Sequence, residues 1–188
     1  KDKKYDRVIF NLSRDQKLIY NDVRKFGFIK FLNKINLYKN LHLKDLGPEP
    51  LNKKFNFTYF KRYIIGRNRT VKDILMDQKF VSGLGNIYVN EILYFSGIKP
   101  TKKIQKLLNS EIKKIIKFTK KILSRAIALG GSSIKDFSSS NGKKGLFQQH
   151  FSVYGRKGEK CFNKNCHNNI IKIVITNRAS FYCNKCQK

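Results

Sequence analysis

All four cysteines of the chain lie in its last 28 residues, as Cys161-x4-Cys166 and Cys183-x2-Cys186 with sixteen residues between the pairs. Two close pairs at this separation read as a metal site in a reducing compartment rather than as disulfides. Four thiolates close a tetrahedral Zn²⁺ shell and leave no position for water, so the ion would hold the fold and perform no hydrolysis. His167 is the weaker candidate ligand. Between the pairs, residues 170–175 and 179–183 can form a hairpin with Thr176-Asn177-Arg178 at its tip. A cation on such a rigid tip is well placed to meet a phosphate.

Charge points the same way. Lys+Arg number 41 against 12 Asp+Glu, a net charge of +29, which opposes compaction and attracts polyanions. Lys, Asn, Ile and Phe are all abundant, so an AT-rich coding sequence is a second source of the lysine excess. With 40% hydrophobic residues, 15 Phe and 9 Tyr, the chain can bury a core. No apolar run approaches the roughly 20 residues needed to cross a bilayer. No signal peptide is visible before the first strand pattern, and the start at Lys1 without Met reads as a fragment or a processed chain.

Taken in order, residues 8–12 and 17–20 are short β-type runs joined by Ser13-Arg14-Asp15-Gln16, and a third strand is expected over 26–32. Arg24 and Phe26 stand at its entrance on one side, where an Arg beside an exposed aromatic suits a wedge into a base stack. Taken by itself, the pair is better explained as a core Phe beside a solvated Arg. Gly47-Pro48-Glu49-Pro50 marks a domain boundary or linker. Beyond it the period becomes helical: 55–65, a basic connector Arg67-Asn68-Arg69, then a helix capped by Thr70 with Asp73. Lys72 lies in that helix's first turn, where the dipole disfavours a cation, which hints at a ligand.

Gly83 and Gly85 build a turn at positive φ, and Asn86 is expected at the N-cap of a helix over 87–96, stopped by Gly97 and Pro100. A helix N-terminus behind such a turn suits a phosphate, although an ordinary helical hairpin has the same pattern. The longest helix opens at Ser110 and ends at Gly130-Gly131. Ile112, Ile115, Ile116, Thr119, Ile122, Leu123, Ala126 and Ile127 form its core stripe, and lysines fill its other face. A Ser/Gly/Lys-rich loop, 132–145, follows.

Several stretches occur together in one order: Asn21-Asp22-Val23-Arg24-Lys25-Phe26-Gly27, Leu46-Gly47-Pro48-Glu49-Pro50-Leu51, Gly83-Leu84-Gly85-Asn86-Ile87-Tyr88, Val153-Tyr154-Gly155-Arg156 and the paired cysteines ending in Cys186-Gln187-Lys188. Together the chain resembles the formamidopyrimidine-DNA glycosylase family, bacterial repair enzymes related to endonuclease VIII. The resemblance implies an α+β architecture in four parts. These are the end of a β-sandwich (1–46), a helix–two-turn–helix domain (47–131), a lesion-recognition loop and connector (132–152) and a zinc finger (153–188).

It implies removal of 8-oxoguanine and formamidopyrimidines from duplex DNA, then β,δ-elimination at the abasic site, by a monomer in the bacterial cytoplasm, associated with the nucleoid. By the same resemblance, Arg24 and Phe26 fill the gap left by the flipped nucleotide. Asn86, Lys72, Arg67, Tyr5 and Tyr154 contact DNA. Ser132, Ser133, Lys135 and Lys143 belong to the loop over the lesion. Arg178 grips phosphate and assists the last elimination, and Cys161, Cys166, Cys183 and Cys186 hold one structural zinc. The family's N-terminal Pro-Glu nucleophile and its catalytic Lys are not in this sequence, so the chain alone is expected to bind DNA without cleaving it. The first cysteine pair encloses four residues where the family has two, and Tyr5 replaces a His. A non-catalytic damaged-DNA-binding remnant is the rival reading, and a zinc-ribbon RNA-binding protein the third.

Overall fold

Two β-runs pair where the alternation places them. In the computed structural model, which describes residues 3–132 and 145–188, β1 (Asp6–Asn11) and β2 (Lys17–Asn21) form an antiparallel hairpin. Val8 faces Tyr20 and Phe10 faces Leu18, with an irregularity between Asp6 and Val8. The turn closes through Leu12 N–H to Gln16 O at 2.8 Å, with Arg14 and Asp15 at positive φ. Asp22 orders the next turn, its carboxylate accepting the N–H groups of Arg24, Lys25 and Gly27 at 2.9–3.0 Å. Those bonds, that of Gly27 foremost, hold its pKa below the usual carboxylate value.

The strand expected over 26–32 is not formed. The stretch joins no ladder among the described residues, and Phe26 and Phe31 stay 79% and 89% exposed. An alternating pattern becomes a strand only when a neighbour takes its backbone groups and its apolar face. The chain divides into two units, Lys1–Asn40 and Leu41–Lys188. Gly47-Pro48-Glu49-Pro50, expected as a domain boundary or linker, is packed against the rest of the second unit. Gly47 N–H bonds Gln78 O at 2.8 Å, and a Cβ on Gly47 would sit 2.4 Å from Phe80 O.

In the second unit, α1 (Phe57–Ile64) is capped by Asn56, whose side chain accepts from Tyr59 N. Its Phe60 meets Phe80 edge-on at 4.9 Å and, with Phe55, forms the aromatic centre of the core. Helix α2 (Val71–Leu75) is capped as expected by Thr70, which exchanges hydrogen bonds with Asp73. Helix α3 (Asn86–Ser96) stops at Gly97, which is left-handed at φ 72°. Helix α4 (Asn109–Ala128) begins at Leu108, whose N–H donates to Glu111 at 2.9 Å. It buries Ile112, Ile115, Thr119, Ile122 and Ala126, whereas Ile127, placed in the stripe by its spacing, is exposed. Strands β3 (Ile171–Ile175) and β4 (Arg178–Tyr182) pair in register around a Thr176-Asn177 turn in which both residues have positive φ. That two-residue turn matches the twist of a hairpin. No helix among the described residues is long and apolar enough to cross a membrane.

The polar residues of α3 join the hairpin to the helices. Asn90 Oδ1 accepts from Phe181 N at 2.6 Å, and Tyr94 Oη lies 3.2 Å from Cys161 Sγ. Buried Glu91 accepts the N–H groups of Ser152, Val153 and Tyr154 at 2.8, 3.0 and 2.9 Å. Burial pushes its pKa up against those three bonds, which pull it down. Replacing Glu91 by Leu strands three buried donors at about 1–3 kcal/mol each. We therefore expect Glu91→Leu to lower stability by at least about 3 kcal/mol, measured as a lower urea midpoint at unchanged slope. An unshifted midpoint would show that the carboxylate does not hold this connection.

Candidate functional site

The four cysteines converge. Their Sγ atoms all lie within 4.8 Å of one another, with Cys161 to Cys186 at 3.8 Å and Cys166 to Cys183 at 3.6 Å. A tetrahedron with metal–sulfur bonds of about 2.3 Å has edges of about 3.8 Å, so these positions fit a four-thiolate metal site. His167 is not in the cluster. Around it, Val153, Ile170 and Phe181 form a small second core. The x4 spacing is accommodated by a turn in which Cys166 N–H bonds Asn163 O at 2.8 Å.

A second convergence centres on the carbonyl of Ala179, next to Arg178. Lys72 Nζ on α2 donates to it at 2.9 Å, and Asn86 Nδ2 on α3 donates to it at 3.0 Å. Lys72 also donates to Ser180 Oγ at 2.6 Å, and Thr176 Oγ1 bonds Asp73 Oδ1 at 2.5 Å. Three candidates far apart in sequence, Lys72, Asn86 and Arg178, thus meet where two helices and the hairpin join. A cleft of about 540 Å³ opens here, lined by Arg69, Asp73, Thr176 and Arg178 among others.

One expectation is corrected here. Asn86 is not the N-cap. Gly85 holds that position at φ −112°, without a side-chain cap, and only Gly83 of the two glycines has positive φ. The Asn86 amide is drawn away by its tertiary partner Ala179, which leaves the start of α3 open. Lys72, singled out because the α2 dipole disfavours a cation there, is buried, at 1% exposed. Its ammonium is consumed in holding the hairpin, which explains a lysine where the α2 dipole disfavours one.

The remaining candidates are placed as follows. Arg178 is exposed at the start of β4 and pairs with Ile175. Arg67 is exposed at the end of α1, bonded to Tyr63 O at 2.6 Å and stacked 4.0 Å from the Tyr63 ring. Tyr154 packs edge-on against Phe151 and Phe181 beside the Glu91 bonds. Ser132 forms a bridge with Leu146 and lies 3.5 Å from Tyr88 Oη. Ser133, Lys135 and Lys143 lie outside the described residues. In the first unit, the Arg24 guanidinium stands 5.0 Å from the exposed Phe26 ring. Tyr5 is half-buried, and its carbonyl accepts from Asp22 N. The sequence reading missed Asn90, Glu91 and Tyr94. Its available signal was a polar pair, Asn90-Glu91, inside an apolar helix.

A family model described as "Formamidopyrimidine-DNA glycosylase H2TH domain" matches residues 46–138. Over 185 residues the chain is 40% identical to a formamidopyrimidine-DNA glycosylase of Ruegeria sp. (strain TM1040), covering 98% of this chain and 65% of that protein. Over 186 residues it is 41% identical to its counterpart in Rickettsia bellii (strain OSU 85-389), covering 99% and 67%. Its fold is similar, at TM-score 0.87 and 36% identity, to Lactococcus lactis Fpg in complex with an abasic site containing DNA, covering 98% of this chain and 66% of that one. The chain thus spans 65% of the length of the first of these relatives.

Lys72 gives the site a pH signature. Burial brings its pKa down to about 8, with Asp73 opposing the shift and Arg178 adding to it. Between about 8 and its ordinary value of 10.5 the unfolded chain binds one proton more than the folded one, so this lysine makes stability rise with pH across that window. Urea unfolding between pH 7.5 and 10.5 should show this rise in the parent protein and lose it in Lys72→Met. Parallel curves for the two proteins would show that Lys72 keeps an ordinary pKa.

Proposed function

Because the chain belongs to the formamidopyrimidine-DNA glycosylase family, we propose that it serves base-excision repair of oxidised purines such as 8-oxoguanine and formamidopyrimidines. It binds duplex DNA at the lesion or at an abasic site. The activity of the enzyme is cleavage of the N-glycosidic bond followed by β,δ-elimination. The observation that carries this reading is the meeting of Lys72, Asn86 and Arg178 around Ala179, beside the open N-terminus of α3.

In this proposal the uncapped N–H groups of α3 and the Arg178 guanidinium hold phosphates. Asn86 and Lys72 set the distance between those two grips by fixing the hairpin to the helices. Arg178 also stabilises the phosphate that leaves in the last elimination. Arg24 and Phe26 fill the space vacated by the flipped nucleotide, and Ser132, Ser133, Lys135 and Lys143 belong to the loop at the base. Arg67, Tyr5 and Tyr154 supply further DNA contacts. The four cysteines hold one zinc ion, whose shell they complete, so the ion is structural. The protein acts as a monomer on the chromosome in the bacterial cytoplasm.

Binding measured by fluorescence anisotropy should favour 8-oxoguanine and abasic duplexes over undamaged DNA and fall steeply with salt. Arg178→Ala should weaken all three duplexes alike and reduce the salt slope by about 1. Arg24→Ala should erase the preference for damage and leave undamaged binding nearly intact. Equal losses from both substitutions on every duplex would refute this division of roles. Removing the metal with a chelator should melt the β3–β4 hairpin and spare most of the signal of α1 to α4 in circular dichroism. An unchanged spectrum in a demonstrably metal-free protein would remove zinc from the account.

A further inference from the structure

The two cysteine pairs are built differently. Cys183 and Cys186 enclose two residues, whereas Cys161 and Cys166 enclose Phe162-Asn163-Lys164-Asn165. The wider loop is ordered by Asn163 itself. Its carbonyl accepts from Cys166 N at 2.8 Å, and its Oδ1 accepts from Asn165 N at 3.3 Å. The loop is also held from outside, because the Arg156 guanidinium lies 3.6 Å from the Phe162 ring. Arg156 is in turn bonded to Glu159 at 2.7 Å and to Ser152 O at 2.9 Å.

This anchored loop carries the Asn163 amide across to the opposite pair, where Nδ2 donates to Cys186 Sγ at 3.6 Å. Cys161, Cys166 and Cys183 are buried, and Cys186 is the only one of the four that is not. The amide therefore reaches the most exposed ligand sulfur. An N–H donor facing a thiolate offsets part of its charge and fixes its position. Partners of this kind are typically worth about 10- to 100-fold in metal affinity.

We propose that Asn163 is an outer-shell positioning residue of the metal centre, whose side-chain N–H holds the Cys186 sulfur and slows loss of the ion. The donor comes from within the wider, four-residue knuckle. The inference rests on the zinc reading above. The competing account is that Asn163 only shapes its own loop. Asn163→Asp separates the two, since the carboxylate keeps the acceptor for Asn165 N but removes the N–H donor and turns a negative charge toward the sulfur.

The experiment is transfer of zinc from the intact chain to a chromophoric chelator, followed by absorbance. Asn163→Ala should release zinc roughly tenfold faster than the parent, Asn163→Asp faster still, and Asn165→Ala at the parent rate. In the cobalt(II)-substituted protein, Asn163→Ala should move the sulfur-to-metal charge-transfer band to longer wavelength. Release from Asn163→Asp at the parent rate would overturn the proposal, as would Asn165→Ala accelerating release as much as Asn163→Ala. A parent chain that takes up neither zinc nor cobalt would refute the metal reading itself, and this inference with it.

Discussion

One carbonyl oxygen sets the relation between the parts that matter. Ala179 O receives the ammonium of Lys72 and the amide of Asn86, so α2, the start of α3 and the hairpin have one shared point. Each bond is modest alone, about 0.5–1.5 kcal/mol for the neutral amide and about 1.5–3 for the charged donor. Their value is geometric. They fix Arg178, one residue earlier in the strand, relative to the open end of α3. Further along the same helix, Asn90 holds Phe181 N and Glu91 holds the chain at 152–154. A single 11-residue helix therefore carries the alignment over its length.

This alignment is costly. Lys72 is buried close enough to Arg178 for the two charges to oppose each other, and its pKa falls to about 8. Asp73 compensates in part, but its carboxylate is itself shared among the Thr70 hydroxyl, the Thr70 N–H and the Thr176 hydroxyl. A buried ammonium that only stabilised the fold could be exchanged for a well-packed apolar side chain at little loss. Besides holding the hairpin, a cation kept here at neutral pH raises the local positive potential, as the proposed phosphate grip at the cleft requires.

How much of this was legible in the sequence follows from the range of each interaction. The Thr70 and Gly97 signals were read correctly because caps are settled within a few residues. The cysteine pairing was legible because tetrahedral thiolate chemistry tolerates few spacings. Asn86 was misassigned as a cap because its side chain is engaged by a partner 93 residues away, and the acceptors of Lys72 left no local sign because they lie 107 and 108 residues away. Glu91 went unnoticed because its three partners are backbone groups, which leave no trace in the sequence. The strand expected at 26–32 failed for a related reason, since alternation specifies a face and not the neighbour that covers it.

The same accounting explains why the charge excess persists in the folded chain. Of the 12 acidic residues, Glu91 and Asp22 are engaged by backbone N–H groups, and Asp73 by two hydroxyls and the Thr70 N–H. Among the described residues, ion pairs join Arg69–Asp77, Lys79–Asp45, Lys102–Glu111 and Arg156–Glu159, and the pair nearest the cleft, Arg69–Asp77, is partly exposed and therefore weak. Some carboxylates organise the chain and others pair with bases, and together they are far too few to neutralise the 41 basic side chains. Self-repulsion of that size is relieved by a dense line of negative charge, which duplex DNA supplies at about one per 1.7 Å. Committing Glu91 to the packing of α3 leaves the excess of positive charge in place, and the proposed binding of a phosphate backbone depends on that excess.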